Sequence, residues 1–113
     1  MQVGEAEADL RAARAFFYGA VEDAWQRAES GEGPTLEQRA LLRLASTHAM
    51  RSAARVVDRM YETGGGTSVY ATSRLQRDFR DIHTATQHAV VAQPTLELAG
   101  RVLLGVETDV SQL

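Results

Sequence analysis

The residues best suited to chemistry lie between Gly64 and His88, in the run GGGTSVYATSRLQRDFRDIHTATQH. Arg74, Arg77 and Arg80 recur at helical spacing and could attract an anion. Asp78 and Asp81 follow the first two by four residues, where they would instead neutralise them as helical ion pairs. His83 and His88 add imidazoles, the side chain that gains and loses a proton nearest neutral pH. On one continuous helix these two histidines would point about 140° apart. They could not chelate one ion as an i,i+4 pair does, so no metal site is expected. His48 falls on an apolar stripe and reads as a packed core histidine. Gly64, Gly65 and Gly66 suit a helix stop, where glycine supplies a positive φ. No strand precedes them and no Gly-Lys-Ser/Thr follows, which argues against a dinucleotide or phosphate loop.

Helices must position these groups. From residue 5 to 29, Leu10, Ala13, Phe17, Ala20, Val21, Ala24 and Ala28 form a stripe with steps of three and four. Phe16, Tyr18 and Trp25 lie beside it, either as core or as an interaction patch. The SGEGP segment, residues 30–34, breaks the pattern. Thr35 with Gln38 then spells a capping box for a helix over 36–63. Its main face carries Leu41, Leu44, Ala45, His48, Ser52, Val56 and Met60. Ser73 is a candidate N-cap for a third helix over 74–88. Pro94 opens a short fourth helix over 94–104, since proline suits a first helical turn. Residues 106–113 read as a polar tail. The predicted fold is a single all-α domain over 1–113: an antiparallel up-and-down helical bundle of three long helices and a short fourth.

Composition narrows the function classes. The 113 residues suit one domain with a modest core. The formal charge is −3, and all 12 basic residues are arginines scattered among acids. Without a basic run, nucleic acid is a poor partner. Cysteine is absent, which excludes thiol chemistry. Neither a signal-peptide pattern nor a membrane-length apolar run is present, so a cytoplasmic protein without membrane partners is expected.

The spacing from Gly65 and Gly66 to Arg80 and Asp81 resembles the C-terminal helical domain of the acyl-CoA dehydrogenase superfamily. Tyr70, His83 and the Leu96–Arg101 segment, LELAGR, are most similar to its flavin-dependent monooxygenase branch. The resemblance covers about residues 3–105. It implies a bundle that completes a flavin pocket, with Gly65, Gly66 and Arg80 at the cofactor. Dehydrogenases of the superfamily place a catalytic glutamate where this chain has Ala89, which cannot act as a base. The neighbouring His88 is the candidate catalytic group, with His83 second. An imidazole there could hydrogen-bond the flavin's oxygen adduct or deprotonate a phenol-like substrate. The resemblance therefore favours oxygen chemistry over dehydrogenation.

The family's N-terminal helical and middle β-domains have no counterpart in these 113 residues, nor has the bundle's first helix. FAD or FMN is thus expected only with companion domains or a companion chain that carries them, and none for the chain alone. A homo-oligomer is expected, because apolar surface meant for a missing helix must be covered. The alternative is a self-associating helical module with no catalytic part.

Overall fold

The computed structural model describes residues 1–66, 70 and 73–113. The described residues form four α-helices: α1 (Gln2–Glu29), α2 (Leu36–Thr63), α3 (Arg74–Ala85) and α4 (Pro94–Leu103). No strand occurs among the described residues. The all-α architecture follows from the helical periodicity and the sharp breaks between segments.

Local chemistry sets the helix ends. At the start of α2, the Gln38 N–H donates to Thr35 Oγ1 and the Thr35 N–H donates to Gln38 Oε1, both at 3.0 Å. The capping box is therefore complete, satisfying two backbone donors that the helix leaves open. Of the glycine triplet, only Gly65 takes a positive φ, +61°. Gly64 stays right-handed as the C-cap of α2. Ser73 occupies the N-cap position of α3 but its hydroxyl makes no capping bond.

α3 is shorter than the sequence pattern predicts. It stops at Ala85, after 12 residues, and not at His88. Threonine hydroxyls compete at this end, with Thr84 donating to the Arg80 carbonyl and Thr86 to that of His83. Such local side-chain bonds offer the backbone alternatives to the helix. Two long helices of 28 residues are thus followed by two short ones of 12 and 10.

α2 is the centre of the molecule. It packs against each of the other three, whereas α1 makes no close backbone approach to α3 or α4. α1 and α2 run antiparallel: Arg59 pairs with Asp9 at 2.8 Å, and Gln38 donates to the Asp23 carbonyl at the other end. α3 returns along the C-terminal half of α2, where Tyr61 meets Phe79 with ring centroids 4.6 Å apart. α4 continues beside the N-terminal half, anchored by a buried hydrogen bond between Thr47 and Thr95. The bundle is open and elongated, 51 × 25 × 23 Å.

The core is made of small residues. Ala6, Ala13, Ala20 and Ala24 line the buried side of α1, and Ala40, Ala45, Thr47, Ser52 and Ala54 are the buried residues of α2. Small side chains at a helix contact let the two backbones approach closely. The largest fully buried side chains are only Thr47 and Ser52, while Tyr18, Trp25 and Leu104 stay largely exposed. Leu10 and Val21 of the predicted stripe sit at its exposed edge. His48 is half-buried, as its place on the stripe suggests, with Ser52 Oγ 3.3 Å from Nε2 and Phe16 beside its ring.

Candidate functional site

The structure spreads the candidate residues along α3 and does not gather them into one pocket. Gly65 and Gly66 lie before α3, Arg80 on its exposed side, and His88 beyond its end. The 12 residues of α3 alone span about 18 Å at the helical rise of ~1.5 Å per residue. A Cβ added at Gly65 or Gly66 would meet nothing within 4 Å, so both front open space. The Arg80 guanidinium has no partner among the described residues, although its carbonyl accepts from Thr84. Arg74 does pair with Asp78, loosely at 3.7 Å and in solvent. Thr67, Ser68, Val69, Ala71 and Thr72 lie outside the described residues, and Tyr70 is exposed.

His88 stands in a tight turn joining α3 to α4. The His88 N–H donates to the Ala85 carbonyl at 3.1 Å, and the Val91 N–H to the His88 carbonyl at 3.0 Å. The Val90 N–H donates to His88 Nδ1 at 3.2 Å. A ring nitrogen that accepts carries no proton, so the neutral imidazole holds its proton on Nε2. His88 is exposed, and Nε2 has no partner among the described residues.

His83 has a different environment. Its Nε2 lies 2.6 Å from Asp58 Oδ1 on α2, and its ring stacks at a tilt on Phe79 with centroids 4.6 Å apart. It borders a cleft of about 470 Å³ between α2, the end of α3 and the start of α4. Arg51, Arg55, Gln87 and Gln93 face the same cleft. The Arg55 guanidinium donates to Ser52 Oγ, and no carboxylate among the described residues pairs with Arg51 or Arg55. The sequence reading missed Asp58 as a partner for His83. Their 25-residue separation offered no local signal.

Among the described residues, no group of three His, Cys, Asp or Glu could hold a metal ion. No described helix is long and apolar enough to cross a membrane. A guanidinium suits the phosphate oxygens of an anionic cofactor and an imidazole can hydrogen-bond one, but here these groups stand at separate places on the surface. The Arg80 guanidinium, unpaired among the described residues, the Gly65–Gly66 edge and the His88 imidazole lie outside the residues that line the cleft beside His83.

These features define an open helical module that presents its candidate binding groups at the surface. The chain belongs to the family of acyl-CoA dehydrogenase C-terminal domains, whose model matches residues 1–93. It is 41% identical over 105 residues to an indole-3-acetate monooxygenase of Pseudomonas putida, covering 93% of this chain and 27% of that protein. It is 30% identical over 89 residues to the oxygenase subunit HsaA of a flavin-dependent monooxygenase from Rhodococcus jostii, covering 79% of this chain and 23% of that one. Among solved structures, the 3-HSA hydroxylase from Rhodococcus superposes with a TM-score of 0.91 at 26% identity, over 99% of this chain and 29% of the hydroxylase. The chain thus spans about a quarter of the relatives it matches.

Proposed function

We propose that this chain is the C-terminal helical part of a flavin-dependent monooxygenase acting on an aromatic substrate, and that it is inactive alone. The observation that carries this reading is the α3–α4 turn, which holds His88 by Nδ1 and leaves Nε2 free. Family membership supports it, as does the likeness to monooxygenases over nearly the whole chain. Arg80 would hold a phosphate or pyrophosphate oxygen, because its guanidinium is unpaired and a guanidinium matches such oxygens. Gly65 and Gly66 would let the cofactor approach the backbone. Bound flavin supplies the redox and oxygen chemistry. His88 would donate a hydrogen bond from Nε2–H toward the reacting end. Its Nδ1 bond favours that role over general base, which would need a lone pair on the outward nitrogen.

The test reconstitutes the chain with its companion domains. His88→Ala should lower turnover by about 10²–10³-fold, the range for removing one hydrogen-bond donor at a reacting centre, with a smaller effect on flavin affinity. His83→Ala should do less, because Nε2 of that ring is engaged by Asp58. Unchanged rates for His88→Ala with the fold intact would show the histidine to be structural. FAD or FMN should bind weakly to the chain alone, since an open wall lacks the enclosure of a cofactor pocket.

A second reading is a non-catalytic, self-associating module. Large apolar side chains at the surface favour self-association under either reading, Trp25, Tyr18 and Leu104 among them. Light scattering at micromolar concentration should therefore show a dimer or larger species. A cytoplasmic location completes the proposal.

A further inference from the structure

The turn that carries His88 is held from two sides. On one, the Val90 N–H donates to the histidine's own Nδ1. On the other, Arg43 of α2 reaches across and donates through Nη1 to the Val90 carbonyl at 3.2 Å. The second arm of the same guanidinium, Nη2, donates to the Gln112 carbonyl at 2.6 Å. Arg43 therefore forks between the turn and the C-terminal tail. A planar guanidinium with both arms engaged is held in one orientation, which a single-point ammonium cannot reproduce.

The tail is itself built to be held there. Gly105, with a φ of +73°, ends α4 and turns the chain. Arg101 then grips the departing segment through the Glu107 carbonyl at 3.0 Å and the Thr108 hydroxyl at 3.4 Å. Arg39, one helical turn before Arg43, donates to the Leu113 carbonyl at 2.9 Å and the Val110 carbonyl at 3.4 Å. The segment 106–113 is thus tied back over α2. Arg43 is the only described side chain that bonds both this tail and the turn.

We propose that Arg43 is a positioning residue for His88. It fixes Val90 against α2 and the tail, so that the Val90 N–H stays on Nδ1 and the proton on Nε2 faces outward. Hydrogen bonds on both sides of the Val90 Cα restrain its φ and ψ, and with them the direction of the N–H that meets the imidazole. If Arg43 lets go, the turn loses its tie to α2, and the histidine loses the acceptor geometry that sets its tautomer. The assignment matters for catalysis only if His88 is the group presented to flavin, as proposed above. It is tested without flavin.

The experiment is solvent-exchange and imidazole-nitrogen NMR on the 113-residue chain, at one pH for all variants. Arg43→Ala should speed exchange of the Val90 amide about two- to tenfold, the range for losing one net hydrogen bond. The His88 Nδ1 resonance should move with it, while the α1 amides of Ala13 and Ala20 keep their protection. Arg43→Lys, which keeps a cation and donors but lacks the planar fork, should fall between. Arg43→Ala and His88→Ala together should speed Val90 exchange no more than the larger single change, because both break one linked bond. An unmoved Val90 amide and His88 ring in Arg43→Ala would overturn the assignment, and so would additive effects of the two changes. If Arg43→Ala does not fold, Arg43→Met, which keeps the apolar stem but has no donor, takes its place, and a Val90 amide unmoved there decides against it equally. None of these outcomes bears on whether His88 serves the flavin, which the turnover of His88→Ala decides separately.

Discussion

Replacing Thr95 with valine should destabilise the chain far more than the same change at Thr47, although the two hydroxyls share one bond. Thr47 is wholly buried and Thr95 nearly so. The Thr95 hydroxyl donates to the Ala92 carbonyl at 2.7 Å, so the proton between the two threonines belongs to Thr47. Valine matches threonine in shape, and the comparison therefore isolates the hydroxyl. Thr47→Val removes one neutral hydrogen bond, about 0.5–1.5 kcal/mol net, and leaves Thr95 bonded to Ala92. Thr95→Val removes the bond to Ala92, about 1 kcal/mol, and strands a buried Thr47 hydroxyl at about 1–3 kcal/mol, or roughly 2–4 kcal/mol in all. In the double variant nothing is stranded at Thr47. Its loss should fall about 1–2 kcal/mol short of the sum of the singles, a coupling typical of contacting residues. Urea unfolding followed by circular dichroism at one fixed protein concentration measures all three, since self-association would otherwise shift stability. Equal costs at the two positions, or a double variant equal to the sum, would refute the assigned proton direction and the anchoring of α4 by this pair.

Thr35→Ala should cost about 1 kcal/mol by opening the capping box of α2, read as a lower urea midpoint with an unchanged slope. Ala45→Leu should cost about 1–3 kcal/mol, because this α2 residue is fully buried and three more carbons would overpack its surroundings. A neutral effect would mean that the helices are less closely seated than described. The Ser111 backbone N–H, and then its hydroxyl, hold the Asp109 carboxyl below its usual range, against a small opposing effect of burial. A lowered folded pKa gives a contribution that is present above the unfolded value and lost as pH falls through the folded one. The Ser111 amide should therefore titrate with a midpoint below the ordinary aspartate value of about 3.9. A midpoint at or above it would show that the tail turn, closed at 3.0 Å, does not persist in solution.

Sequence alone determined what is local. The helical period, the Thr35–Gln38 box, the breaks at residues 30–34 and at Gly65, and Pro94 at the head of α4 all act within about one turn. The glycine-to-Arg80–Asp81 spacing was enough to place the chain in its family. Tertiary structure decided what depends on which helix meets which. Leu10 and Val21 were as good core candidates as Ala13 and Ala20 by period, but close contact with α2 admits the alanines and leaves the larger residues at the edge. α3 ends at Ala85, where backbone bonds tighten to Gln87 N–H on the Thr84 carbonyl and His88 N–H on that of Ala85, and this moved His88 from a helix face to a turn. Asp58 became the partner of His83 across 25 residues, and Arg43 the tie to Val90 across 47. A periodic pattern carries no record of such pairs, because hydrogen bonds between distant residues form only once packing has brought their helices together.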